Sequence, residues 1–461
     1  MCLGMLTERD GIQIKMHCVT LEDLVPQEHF LRKLENAVDF SFIYDEVRDL
    51  YCPDNGRPGI DPVILVKYLL VGYLYGIESE RRIEQEIQVN MAYRWFLGLD
   101  LDDRVPDHST ISQNRRRRFH GKNVFRHLFE HILHLCMEKG LVDGRIILTD
   151  STHVKANASF KANTKVLAQR ETTDYMERLD RYEAEERARL ESSGVIKPQR
   201  AGREKKESSK VQKTVSTTDP DAGMLQRPGK PEGMHYLDHQ SVDAAHGIVV
   251  DVAVTPGNAN DSEPYLGRIE YMREHLGLDI QTAGADSAYG TSMIYRAMDD
   301  MGIRLYTPAA TGGVTYKVEF RREDFRYDAE KDCFLCPAGK ALTLRSLERE
   351  NYNISRIYRA DRKDCRICPM LGRCVSDSHR SRSIRKNIFE EAVKRQRETD
   401  GASTHKRILG LRQIWCEGSF AAQKWMHNLR RLFRRGMEAA EDHCLLSATA
   451  LNLKRMIKCL G

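Results

Sequence analysis

The chain has 461 residues, 41% of them hydrophobic and 30% charged, which excludes a disordered polymer and points to roughly two to four globular domains. Lys and Arg number 72 against 67 Asp and Glu, a net charge of +5, so total charge carries no argument for nucleic acid and only the placement of basic residues can. The most apolar run, residues 63–76, contains Lys67 and is too short to span a bilayer. Residues 1–10 mix acidic and basic side chains without an apolar core, so the expectation is a cytoplasmic protein with no membrane partner. Its twelve cysteines then stay reduced, and clustered pairs of them point to metal rather than disulfides.

Residues 1–125 read as a helical domain. Asp61-Pro62 is a helix start and Gly76 a stop, with Val63, Val66, Leu69, Leu70 and Tyr73 as the apolar stripe between them. Ser79 caps a second helix on which Ile83 and Ile87 share a face. Asp107 or Ser109 caps a third, which carries Arg115, Arg116, Arg117 and Arg118. Three helices ending in a basic one resemble a helix-turn-helix DNA reader. Adjacent arginines point around a helix, so one or two of the four meet phosphate and the others are solvated or paired.

A second domain occupies residues 140–315. Arg145-Ile146-Ile147-Leu148-Thr149-Asp150 is a short apolar run ending in a carboxylate, the pattern of a buried strand. Residues 164–213 are dense in Glu, Arg and Lys, with a weak seam of Met176, Leu179 and Leu190. They are expected to form an exposed helical excursion with a solvated face, followed by a loop around Pro198 and Gly202. Residues 234–242 and 247–254 read as a hairpin through Asp243-Ala244-Ala245-His246. A strand over 278–286, a helix from Ser292 and a strand over 303–306 follow. This order suits a mixed α/β fold with helices on the faces of a sheet. Residues 316–385 interrupt it with a cysteine-rich insertion, and residues 400–461 return to long helices.

Two-metal phosphodiester chemistry needs carboxylates that converge from different elements onto hard, oxygen-seeking ions. Asp150 and Asp286 each follow a strand of apolar or small residues and precede small residues, Ser151-Thr152 and Ser287-Ala288. On position alone each could equally cap the next turn, and Asp219, Asp243, Asp251 and Asp261 compete; turn chemistry accounts for Asp219 and Asp261. Glu417 is the third candidate. Lys424 lies seven residues on, along the same face of a helix expected to continue through Asn428 and Arg431 to Arg435. An acid followed by bases along one face would set a metal beside a DNA backbone.

Together these residues resemble the DDE transposases of bacterial insertion sequences, in the branch with an N-terminal helical domain and a cysteine-containing insertion. The resemblance is carried by Asp61-Pro62 through the Ile83 helix with Pro106-Asp107-His108-Ser109-Thr110-Ile111-Ser112, by Leu148-Thr149-Asp150-Ser151-Thr152, by Ala285-Asp286-Ser287-Ala288-Tyr289-Gly290, and by Arg412, Glu417, Phe420, Lys424, Arg435-Gly436 and Asn452-Leu453-Lys454-Arg455. Ser216-Thr217-Thr218-Asp219-Pro220-Asp221 resembles the family's loop before the hairpin, with a structural or substrate-facing role. The chain departs from the family in having Phe420-Ala421 where Phe-Gly is common. The resemblance implies a ribonuclease-H-like fold, with Asp150, Asp286 and Glu417 as ligands of two Mg²⁺ (or Mn²⁺) ions. It also implies that Tyr289, Arg412 and Lys424 lie near the DNA backbone, with Arg431 on the same side. The implied partners are double-stranded DNA, as terminal inverted repeats and as target, bound by a homodimer at the nucleoid. A catalytically silent, transposase-derived DNA-binding regulator remains the alternative.

In the insertion, Cys333-Phe334-Leu335-Cys336 and Cys365-Arg366-Ile367-Cys368 are two Cys-x-x-Cys pairs, the pattern of a structural zinc site. Cys374 follows, so five cysteines compete for four places. Four thiolates leave no open position, which excludes a catalytic zinc.

Overall fold

Strand β1 (Ile146–Lys155) forms from its apolar start, where Ile147 and Leu148 are fully buried. It occupies the middle of the main sheet. The computed structural model describes residues 16, 18–52, 59–159, 161–169, 173–198, 210–226, 229, 232–308, 319–375, 380–398 and 401–461. They form two units, 1–124 with 457–461, and 125–456.

In the first unit the helix Pro62–Tyr75 starts and stops where its caps require. Asp61 accepts the Val63 N–H at 2.7 Å, and Gly76 closes the helix at φ 67°, a conformation that favours glycine. Lys67 is buried in it, paired with Glu35 at 2.6 Å and set over the rings of Phe40 and Phe96. The helix Glu80–Val89 is tied to the helix His108–Asn114 by Glu84, which accepts the His108 N–H at 3.0 Å. Asp107, not Ser109, is the residue that caps His108–Asn114.

In the second unit β2 (Asn163–Gln169) and β3 (Lys210–Ser216) pair, among the described residues, only with each other. The main sheet adds β4 (Gly223–Leu225), β5 (Gly233–Asp243), β6 (Val249–Pro256), β7 (Thr282–Ala285) and β8 (Arg304–Tyr306). β6 runs antiparallel to β5 and β5 antiparallel to β1, while β7 and β8 run parallel to β1. The short β4 pairs with the start of β5. Strand order is thus third, second, first, fourth, fifth, with the turnover from antiparallel to parallel at β1. That is the ribonuclease-H-like fold. The helices Tyr265–Glu274 and Ser292–Asp300 make the crossovers that parallel strands need.

A helical run of Ala402–Arg412, Gln413–Glu417 and Gly418–Met426 lies on this sheet. Gly284 on β7 allows the close approach. A Cβ there would sit 2.9 Å from both Ile408 and Leu148 side-chain carbons. Gly284→Ala is therefore expected to lower stability by about 1–3 kcal/mol, read as a drop in the thermal midpoint. An unchanged midpoint would mean that helix and sheet are not in contact there.

Three expectations are corrected. The helix does not continue to Arg435. It ends at Met426, Asn428 takes a positive φ of 62°, and the chain pairs instead with the end of β1, Lys155 N–H to the Arg430 carbonyl and Leu432 N–H to the Lys155 carbonyl. Residues 428–435 therefore share no helical face. The charged excursion is not merely solvated. Its helix Asp174–Ser192 buries Tyr175, Leu179 and Leu190 and pairs its acids with the insertion: Glu186 with Arg356 at 2.6 Å, and Asp180 and Glu183 with Arg349. Tyr182 also packs on Phe389 and Tyr175 on Tyr352. The excursion is also part strand, β2 and β3, and its Gly202 loop lies outside the described residues. Lastly, Asp150 stands mid-strand, because β1 runs on to Lys155.

The insertion is an antiparallel sheet of β9 (Arg326–Asp328), β10 (Cys333–Leu335), β11 (Ala341–Glu350), β12 (Asn353–Ala360) and β13 (Ser383–Asn387), ordered from β13 back to β9. The C-terminal helix Met437–Leu460 is held at its start by the Ser216–Asp221 loop: Asp219 accepts the Gly436 N–H at 3.1 Å and Asp221 the Met437 N–H at 3.0 Å. Asn452 then clasps the Val249 backbone through two bonds of 2.8 Å. Among the described residues no single helix is long and apolar enough to cross a membrane.

Candidate active site

Register brings the first two acids together. β7 pairs with β1 as far as Thr149 opposite Ala285, so Asp150 and Asp286 are the next residues on neighbouring parallel strands, which run about 5 Å apart. Paired positions share a face of the sheet. Beyond this level β7 turns away, with Asp286 accepting the Ser287 N–H at 2.6 Å, while β1 continues. The sheet therefore opens at the two carboxylates.

Glu417 reaches the same opening from the helical run. Arg412 bridges the groups: its Nη1 donates to Asp150 Oδ2 at 2.7 Å, and its Nη2 lies 3.6 Å from Glu417 Oε1. Residues 412 and 417 are five apart, which in an α-helix would separate them around the axis. The π turn Gln413–Glu417 brings them onto one side, and such turns recur at functional sites. Two turns on, Lys424 Nζ donates to Thr152 Oγ1. Thr152 shares a face with Asp150 by the strand's period of two, so two acid-site bases on one helical run meet two residues of one strand face.

Burial pushes the Asp150 carboxyl above the usual carboxylate range; Asp286 and Glu417 push it the same way, against Arg412 and the Ser151 N–H. Three acids that repel one another around one opening, bridged by a guanidinium, are a hard oxygen donor set that suits a divalent cation such as Mg²⁺. Their oxygens are more widely spread than in a closed cage. Among the described residues only Glu84, Asp107 and His108 bring three ligand atoms within 4.8 Å of one another. That trio is accounted for by the helix tie and the cap described above, and it had no signal in the sequence.

The competing carboxylates have structural partners. Asp219 accepts the Tyr236 hydroxyl at 2.8 Å, Asp243 accepts the Gly144 and Ala245 N–H groups at 2.9 Å each, and Asp251 pairs with Arg268 at 2.7 Å. Two DNA-contact expectations are not supported by position. Tyr289 is 1% exposed and its ring packs edge-on against Tyr265, so it faces the interior. Arg431 is exposed, but off the helix that was to carry it. Of the four arginines, Arg115 is buried against Glu80 and Arg118 lies over the Tyr51 ring at 4.3 Å, whereas Arg116 and Arg117 are exposed.

Two stretches match families of known proteins. Residues 19–117 match the family described as a transposase domain (DUF772), and residues 335–457 match the family described as a transposase DDE domain. The chain is a DDE transposase. The second match contains Arg412, Glu417 and Lys424. Asp150 and Asp286 lie outside both, so their place in the transposase rests on the strand register. No curated protein matches the chain. A solved piggyBac transposase synaptic complex with hairpin DNA is similar at 8% identity, over 93% of this chain and 75% of that one, with a TM-score of 0.37, too low to carry an argument.

In the transposase's insertion, Cys336 closes a turn after β10. Its N–H donates to the Lys340 carbonyl at 2.9 Å, and its sulfur accepts the Lys340 N–H at 3.3 Å. Lys340 Nζ stands 3.6 Å from Asp364 on the short helix that holds Cys365, and Cys368 and Cys374 follow in the next turns. Burial pushes the Cys374 thiol up, and Cys365, Cys336 and Cys368 add to it. Cys333, by contrast, is 4% exposed within the sheet, paired in register with Asp328 and Thr343. Cys374 thus lies near enough to Cys336, Cys365 and Cys368 to feel their charge. No three of the sulfurs lie within 4.8 Å of one another.

Beneath the acids of the transposase, burial pushes Asp238 to about 7 from an ordinary 3.8. Between those values the folded protein keeps a proton that the unfolded chain has released. The stability this represents is present below the ordinary value and falls as pH rises through the window, by about 1.4 kcal/mol per pH unit at most. Asp238→Asn is expected to flatten that decline. Denaturant midpoints followed across the window check it, and equal slopes in variant and parent would disprove it.

Proposed function

We propose that this transposase recognises the terminal inverted repeats of its own insertion sequence, nicks the DNA there, and joins the freed 3′-hydroxyl to target DNA. The observation that carries the reading is the convergence of Asp150, Asp286 and Glu417 at the open end of β7, with Arg412 and Lys424 beside them. Asp150 and Asp286 would hold two divalent ions, Mg²⁺ or Mn²⁺, and Glu417 would complete the second side. When bound, the ions activate the attacking oxygen and neutralise charge at the leaving one. Arg412, released from Asp150, and Lys424 orient backbone phosphates.

In the first step water's oxygen bonds to phosphorus, the bond to the bridging 3′ oxygen breaks, and that oxygen leaves as a hydroxyl. In the second step this hydroxyl attacks a target phosphodiester, forming one P–O bond as another breaks. Each step conserves the number of P–O bonds, and because water or the 3′-hydroxyl attacks phosphorus directly, neither passes through a covalent protein intermediate. Exposed Arg116 and Arg117 meet repeat phosphates, and Arg115 and Arg118 hold their helix in place. A homodimer bridges the two ends at the bacterial nucleoid, in the cytoplasm. A structural zinc ion in the insertion is held by Cys336, Cys365, Cys368 and Cys374.

The test gives the purified protein a labelled duplex containing the inverted repeat that flanks its gene, with Mg²⁺. Cutting at the repeat end supports the proposal. Repeat-specific binding without cutting identifies a silent regulator, and cutting governed by DNA shape at any sequence identifies a repair-type nuclease.

A further inference from the structure

Behind the carboxylates the segment Gly418–Met426 meets the sheet through a pair of amides. Gln240 on β5 is the register partner of Asp150, and Gln423 immediately precedes Lys424. They are 1% and 0% exposed. Gln423 Nε2 donates to Gln240 Oε1 at 2.7 Å, and Gln240 Nε2 donates back to Gln423 Oε1 at 3.0 Å. Gln240 Nε2 also donates to Asp238 Oδ2 at 2.8 Å, and Ser447 Oγ of the C-terminal helix donates to Gln423 Oε1 at 3.1 Å. The Gln423 carbonyl accepts from His427 and Leu429, where the helix ends.

An apolar contact tolerates sliding, because dispersion and burial are not directional. A reciprocal amide pair does not: a small shift breaks two bonds and leaves buried donors and acceptors unmade. Glu417 and Lys424 ride on the helix that Gln423 fixes, above the strand positions of Asp150 and Thr152. Hydrogen-bonding chemistry at this contact thus sets one height for the helix over the sheet.

We propose that the Gln240–Gln423 pair is a positioning element, which sets the register of the glutamate-bearing helix and thereby the spacing of Glu417 from Asp150 and Asp286. This rests on the reading of those three acids as metal ligands. The test uses full-length protein carrying Gln240→Met, Gln423→Met, both together, or the milder Gln423→Asn, with Ser447→Ala as the control that leaves the pair intact. Mn²⁺ binding is measured without DNA by paramagnetic resonance, beside the Mg²⁺ half-saturation of cleavage, repeat binding and the thermal midpoint.

Either single methionine variant is expected to weaken Mn²⁺ binding and raise the Mg²⁺ half-saturation on the order of tenfold, as for other groups that support metal ligands. Repeat binding is expected to stay at the parent's level. For Mn²⁺ affinity the double variant should lose little more than either single one, because the amide pair is already broken in each. Should the methionine variants not fold, Gln423→Asn keeps the amide while shortening its reach, and a smaller loss of Mn²⁺ affinity is expected. Variants that melt earlier yet bind Mn²⁺ as the parent does would overturn the proposal and leave the metal reading intact. A parent that binds no Mn²⁺ would overturn both.

Discussion

Asp150→Asn, Asp286→Asn and Glu417→Gln are each expected to reduce cleavage at the repeat by at least about a thousandfold, roughly 4 kcal/mol of transition-state stabilisation, with repeat binding retained. Each change preserves shape and removes one charge. Asp150 and Asp286 directly follow Thr149 and Ala285, the last register pair of two adjacent strands, so neither can be replaced by movement of the other. The variants should also differ among themselves. Asp150→Asn removes a buried charge that Arg412 holds at 2.7 Å, leaving that guanidinium to Glu417, so this variant is expected to lose some stability as well. Glu417 is half exposed and Asp286 holds only a turn N–H, so their variants should melt close to the parent. Labelled-duplex cleavage and thermal midpoints, taken on the same preparations, test both halves. A Glu417→Gln enzyme that cuts at the parent's rate would remove Glu417 from the metal site.

Removing zinc should have the other large effect. A structural zinc held by four thiolates contributes on the order of 10 kcal/mol to the fold around it, more than the five short strands of the insertion supply alone. The purified protein is expected to contain about one zinc per chain. Cys374→Ser should lose it, whereas Cys333→Ser should retain it and show only the modest destabilisation of a polar atom placed in a packed sheet. Metal content by atomic absorption, with the thiols freed on chelation, distinguishes the two. Retention by Cys374→Ser with loss by Cys333→Ser would return the ligand set to the two Cys-x-x-Cys pairs. Chelation should also loosen the helix Asp174–Ser192, which is paired to the insertion through Arg349 and Arg356. It should spare repeat binding by the N-terminal helices; if it does not, the zinc segment is itself a DNA reader.

The readable features were those set by neighbours in sequence. Asp61 and Gly76 bound a helix because capping involves residues two to four apart. The apolar start of β1, the β5–β6 hairpin and the helix from Ser292 follow from period and turn chemistry alone, and Glu417 and Lys424 share a face because both lie on one helix. Pairing with distant residues was not readable. The helix after Glu417 ends at Met426 because its backbone finds β1, some 270 residues earlier in the chain. The acids of 174–192 looked solvated because the arginines that neutralise them belong to the insertion. Tyr289 belongs to the interior and Arg115 to Glu80 through packing that no local pattern encodes. Cys374 lacks the Cys-x-x-Cys spacing, and only the turn at Cys336 and the short helices after β12 bring it beside three other thiols. A sequence fixes which side chains repeat with helix or strand; which of them meet is decided when the sheet and helices pack, since hydrogen bonds and charges are satisfied by whatever partner the fold brings within reach.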